Sequence, residues 1–156
     1  MAELVEVASN LRFPEGPIAM PDGTVILVEM FGPRLSRVFP DGTVETIAEV
    51  PGGPNGAAIG PDGAAYVANN GARFTMLEND GLMFPGPTTP GKYLGGRISK
   101  VDIDTGAVTD LYTECDGKKL VAPNDLVFDD QGGFYFTDHG MTEDEDRMAH
   151  LTGIYY

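Results

Sequence analysis

The chain has 156 residues, 42% of them hydrophobic, and a formal charge of −14, which fits one domain and lacks the basic footprint that nucleic acid or an anionic membrane demands. Cys115 stands alone, excluding an intramolecular disulfide and a cysteine-based zinc site. The first residues carry two acids and no apolar signal core, and no run approaches the ~20 residues of a membrane span, so the expectation is a soluble, cytoplasmic protein with neither nucleic acid nor membrane as partner.

Taken in order, Leu4–Ala8 predicts a strand with no partner inside the units that follow. Glu15–Met20, Thr24–Met30, Arg34–Phe39 and Thr43–Val50 predict strands a to d of a first unit. Tight turns at Pro21-Asp22-Gly23, Phe31-Gly32-Pro33 and Pro40-Asp41-Gly42 separate them. In each Pro-Asp-Gly turn, Pro presets φ, Asp supplies an acceptor and Gly tolerates positive φ. A second unit places strands at Ala57–Gly60, Ala64–Ala68, Arg97–Ile103 and Ala107–Tyr112, with an insertion over residues 71–94. A third begins with Leu126–Asp129 and Gly133–Thr137 and resumes at Gly153–Tyr156 after an acidic stretch.

Four antiparallel strands per ~40–45 residues is the arithmetic of a propeller blade. The expected fold is therefore all-β: a β-propeller of four-stranded antiparallel blades. Blade one spans about 15–50, blade two about 54–113 and a partial blade three about 123–156, while residues 1–14 supply a strand closing the last blade.

The three units superpose without a gap. Glu15, Asn55 and Asn124 each open strand a, eight residues before a turn glycine (Gly23, Gly63, Gly132). If the units are arranged radially, these three oxygens converge on one axis. Strand alternation puts the starts of strands a on one face, together with the insertion 71–94 and the loop His139–Leu151, which are expected to act as lids. A carboxylate with amide oxygens suits a hard cation such as Ca²⁺. The competing role for all three residues is that of simple turn-formers before a strand.

Phe13-Pro14-Glu15-Gly16-Pro17, Pro54-Asn55-Gly56 and the run from Ala122-Pro123-Asn124-Asp125 through Phe136-Thr137-Asp138 resemble the SMP-30/gluconolactonase/LRE-like family across essentially the whole chain. The resemblance implies a six-bladed propeller with one divalent metal, usually calcium, in its channel; Zn²⁺, Mg²⁺ and Mn²⁺ are the other metals to consider. It implies Glu15 as a metal carboxylate, Asn124 as a metal or substrate ligand and Asp125 as a substrate contact. Asn55 shares their repeat position, in a blade that does not reliably supply a ligand.

Family members are about twice as long, with further ligands and the usual general base in later blades. The resemblance therefore implies about half of a six-bladed propeller, with the base beyond Tyr156 and a C-terminal half or second chain needed for closure. The expected function is metal-dependent hydrolysis of lactones or related esters by the full-length protein, with this chain inactive by itself. The alternative is a non-catalytic propeller segment or binding module with a structural or degenerate divalent site.

Inside the chain the candidate base is Asp138, for which a strand-end cap is the favoured role; a solvated loop position is favoured for His139. Asp102-Ile103-Asp104-Thr105-Gly106 starts like a calcium loop but carries Ala107 where an EF-hand needs Gly, and reads as a turn. Thr142-Glu143-Asp144-Glu145 fits a capping box, predicting a short helical turn over 143–150. Phe74, Met83, Phe84 and Tyr93 are expected to fold under their own loop rather than line a pocket.

Overall fold

The computed structural model describes residues 3–89, 91–140, 142–144, 147–148 and 152–156, and among these every regular element is a strand. No helix of the described residues is long and apolar enough to cross a membrane. The first unit contains β1 (Pro14–Ala19), β2 (Val25–Glu29), β3 (Arg34–Val38) and β4 (Val44–Glu49), an antiparallel sheet in that order. The second comprises β5 (Pro54–Ile59), β6 (Ala65–Asn69), the hairpin β7 (Thr75–Asn79) with β8 (Leu82–Gly86), β9 (Arg97–Val101) and β10 (Val108–Tyr112). Its sheet order is β5-β6-β9-β10, so the β7–β8 hairpin stands outside it.

A small hairpin, β11 (Glu114–Cys115) with β12 (Lys118–Lys119), leads to the third unit. That unit pairs β13 (Pro123–Phe128) with β14 (Phe134–Asp138), and β14 with β17 (Gly153–Tyr155). Between them β15 (Thr142–Asp144) pairs with β16 (Arg147–Met148). The helical turn expected over 143–150 is thus replaced by strand at 142–144 and 147–148. Residues 145–146 and 149–150 lie outside the described residues. A capping box satisfies only the first turn of a helix, and nothing beyond it in this segment supplies an apolar helical stripe.

The tight turns behave as their side chains dictate. Asp22, Asp41 and Asp62 accept the backbone N–H of Thr24, Thr43 and Ala64, at 2.9, 2.9 and 3.2 Å. Asp129 accepts those of Gln131 and Gly133. Gly23, Gly42, Gly63 and Gly132 take φ of 85°, 86°, 81° and 87°, a conformation that only glycine adopts without cost.

The core lies between sheets rather than beneath any one of them. Ile26, Val28, Leu35, Ala48 and Val50 of the first unit bury against Ala57, Ala65, Val67 and Val101 of the second. Ala68 and Ile98 of the second bury against Leu126 and Phe136 of the third, flanked by Tyr66, Phe128, Phe134 and Tyr155. At the inner edge β1 packs on β5 and β5 on β13, which brings the three strands a side by side. Residues 3–11 carry no strand. Among them Glu6, Val7, Ala8 and Leu11 share a cavity with Pro14, Val25, Leu27 and Val38 of the first sheet.

Candidate functional site

Each strand a begins in the same way. Pro14, Pro54 and Pro123 are the first residues of β1, β5 and β13, paired across the sheet with Glu29, Asn69 and Asp138. Proline lacks the N–H that the ladder would use and is tolerated at a strand's first residue for that reason. One extra residue follows in all three strands, as a bulge between Glu15 and Ile18, between Pro54 and Gly56, and between Pro123 and Leu126. Bulges bend the strand and re-aim side chains. Asn55, Asn124 and Asp125 lie inside their bulges and Glu15 at the edge of its own, so the predicted site residues are those whose direction the irregularity sets.

Glycine brings the three bulges together. A Cβ on Gly16 would lie 2.6 Å from the Ala57 nitrogen, and one on Gly56 would lie 2.5 Å from Asp125 Oδ1 and 2.6 Å from the Asn124 carbonyl oxygen. Any side chain at either position would force the inner strands apart. Asn55 is buried, Glu15 and Asn124 are half-buried and Asp125 is exposed. Burial raises the Glu15 carboxyl above its ordinary 4.5, the Asp125 charge adds to the rise, and the Gly16 N–H opposes it. Asp125 thus lies within electrostatic reach of Glu15, and among the described residues neither carboxylate forms an ion pair with Lys or Arg.

Behind the site runs a second set of polar groups that the sequence reading did not assemble. Glu29, Asn69 and Asp138 each stand fourteen residues after the site residue of their unit, and all three are buried. Glu29 accepts the Arg12 N–H at 2.7 Å, as well as Ser36 Oγ and the Arg34 guanidinium. Burial would raise its carboxyl, but the bonds from Arg34, Arg12 and Ser36 outweigh it and hold the group below its ordinary value. Asn69 Oδ1 accepts the N–H of Gly53 at 3.0 Å and of Gly71 at 2.9 Å, and its amide donates to the Pro51 carbonyl. Asp138 accepts the N–H of Val121, Ala122 and Gly140, each at 2.8 Å. Both of its oxygens are thus engaged by backbone. His139 is exposed, and its N–H donates to the Ala122 carbonyl.

The insertion reaches the same face. Met76 of β7 lies against Arg12, which leads into β1. Tyr93 donates to the Val121 carbonyl at 2.7 Å, just before Asn124, and Arg73 lies over the Phe74 ring. Phe84 departs from expectation: it is exposed, together with Leu77 and Leu82, because a two-stranded hairpin has no second layer on which to bury it.

No group of three His, Cys, Asp or Glu converges among the described residues. The donors present are instead Glu15, Asp125 and two asparagine amides, an oxygen set of the kind that hard cations take. The repulsion acting on Glu15 is the electrostatic complement of such an ion.

A family model described as "SMP-30/Gluconolactonase/LRE-like region" matches residues 13–156. The chain is 26% identical to a gluconolactonase of Zymomonas mobilis, covering 96% of this chain and 41% of that protein. A solved structure of a gluconolactonase from Xanthomonas campestris superposes with a TM-score of 0.61 at 24% identity, covering 82% of this chain and 35% of the other. The chain thus spans about two fifths of the length of the curated relative it matches.

Proposed function

Because the chain belongs to the SMP-30/gluconolactonase/LRE-like family, we propose that it supplies part of the active site of a lactonase-type hydrolase whose central group is a divalent metal, Ca²⁺ by the chemistry of its oxygens. The observation that carries this reading is the side-by-side placement of Glu15, Asn55 and Asn124-Asp125 at the bulged starts of three adjoining inner strands. Glu15 is the charged ligand, Asn124 the amide ligand and Asn55 a further oxygen in the same row. When bound, a divalent cation polarises a lactone carbonyl and stabilises the oxyanion that develops on it.

The chain's own residues bind and orient. Asp125 is exposed beside Asn124, with Oδ1 accepting the Leu126 N–H at 2.9 Å. That bond fixes the carboxylate and leaves its other oxygen to accept a hydroxyl of the substrate. The half-burial of Glu15 thins the water around it, which strengthens its attraction for a cation. Asp138 is spent on three backbone N–H groups and serves as a support rather than as the proton acceptor for attacking water.

A non-catalytic module with a structural ion differs from this reading in measurable ways. Calorimetry should show divalent binding abolished in Glu15→Gln, since an amide cannot supply the charge, with lactone turnover lost in parallel. Divalent binding without turnover by the complete protein, across sugar-acid and aliphatic lactones, would establish the module instead. Undiminished affinity in Glu15→Gln would remove Glu15 from the ligand set.

A further inference from the structure

We propose that Glu29, Asn69 and Asp138 are positioning residues that set where Glu15, Asn55 and Asn124 stand, each by holding the backbone just ahead of its site residue. The functional consequence rests on the site proposed above, whereas the structural one does not.

The need for such a group follows from how each strand a begins. The opening proline offers no N–H to the ladder in any unit. In units two and three the bulge behind it also removes the next regular pairing, whereas in unit one Glu15 still pairs with Val28 before the bulge. Backbone N–H groups before the proline consequently lack a strand partner, yet buried N–H groups are almost always bonded. The polar side chain directly across the sheet meets this need in all three units. It accepts the N–H two residues before the site residue in units two and three (Gly53, Ala122), and three before it in units one and three (Arg12, Val121).

Asn69 and Asp138 also bond the N–H two residues beyond themselves, Gly71 and Gly140. They tie the chain entering strand a to the chain leaving strand b. In unit three the Val121 peptide is held from its other side as well, by the Tyr93 hydroxyl on its carbonyl. The longer Glu29 is itself fixed by Arg34 and Ser36. One position thus carries Glu, Asn and Asp with a common bond. The shared requirement is an acceptor oxygen, and the presence of Asn shows that a negative charge is not needed.

Asp138 gives the sharpest test, because Asn69 predicts what its conservative variant does. Asp138→Asn keeps one oxygen for Ala122 and Gly140 and loses the bond from Val121. Asp138→Ala loses all three. In the protein that carries this chain, amide exchange over 120–124 and the side-chain amide resonance of Asn124 report the backbone and the site residue directly. Divalent affinity and lactone kcat and KM report the consequence.

The expected result is faster exchange, a displaced Asn124 resonance and a loss of roughly tenfold or more in affinity and turnover in Asp138→Ala, the range for residues that orient ligands. Asp138→Asn should speed exchange only at Val121, whose bond it loses, and otherwise stay near wild type and keep the wild-type pH profile. Where the alanine variant does not fold, Asp138→Ser, with one shorter acceptor, carries the same comparison.

An unmoved Asn124 resonance in the alanine or serine variant overturns the inference. So does lowered stability with full affinity and turnover, and so does an asparagine variant as damaged as alanine with one limb of the pH profile gone. Failure of the proposed function shows separately, as absent turnover in the wild type, and leaves the exchange and resonance readings intact.

Discussion

At the scale of the residue, Glu15 and Asp125 define what the site asks of a ligand. Glu15 is raised by burial first and by Asp125 second. A carboxyl raised in the folded state favours its protonated form, so its contribution to stability is complete below the ordinary 4.5 and is lost as pH rises through the folded value. A divalent cation reverses that loss and competes with the proton for the same oxygens, so affinity should fall as pH drops through the raised value. Asp125→Asn removes the second cause and leaves the first. The Glu15 carboxyl should then titrate lower by NMR, and the acid limb of cation binding should move down with it. An unchanged Glu15 titration would show that the two carboxylates do not share a field. Glu15, Asn55 and Asn124 were legible as candidates because they recur at one offset from a turn glycine. Glu29, Asn69 and Asp138 recur just as strictly, but at an offset set by pairing across the sheet, which no local motif announces.

At the scale of the element, the four-strand rhythm was plain, since Pro-Asp-Gly turns and apolar runs encode strand and turn locally. Three things were not. Strands a start earlier than their apolar residues suggest, because Pro14, Pro54 and Pro123 join the ladder as its first members without donating to it. The β7–β8 and β11–β12 hairpins sit in segments whose apolar residues remain largely exposed, so no burial pattern marks them. The spacing of the inner strands depends on Gly16 and Gly56 meeting backbone of a neighbouring unit, a contact between residues tens of positions apart. Gly56→Ala tests that spacing. Its methyl collides with Asn124 and Asp125, so it should cost about 1–3 kcal/mol in urea unfolding, as overpacking does, and should weaken cation binding. Gly63→Ala is the control. Nothing lies within 4 Å of a Cβ there, and the cost should be only that of the left-handed backbone, about 1–2 kcal/mol, with binding intact. Equal losses of affinity in the two variants would refute the view that strand spacing builds the site.

At the scale of the whole molecule, the sheets hold one another, and among the described residues the outer sheets each keep a face that no other sheet covers. On the third unit Val127, Tyr135, Ile154 and Tyr156 are exposed, and Tyr112, Phe134, Phe136 and Tyr155 help to line an open cavity of about 470 Å³. On the first, Val5 and Val7 are exposed beside the cavity shared with Leu27 and Val38. Repeat units draw much of their stability from interfaces with their neighbours, and contiguous apolar patches beyond a few hundred Å² mark surfaces that associate. Residues 1–156 expressed alone should therefore bind ANS, scatter light as more than a monomer and unfold with low cooperativity. The oxygens of three strand starts replace only part of the six to eight that Ca²⁺ takes, so the same preparation should bind it weakly and show no enzymatic lactone turnover. Charge opposes the association, since a chain at −14 repels its own copies at low ionic strength. Added salt screens that repulsion within about 10 Å at 0.1 M, so scattering should rise with salt if the apolar faces drive it. A compact, ANS-silent monomer with calcium-dependent turnover would show that these faces are closed without further sheets and that the site is complete as it stands.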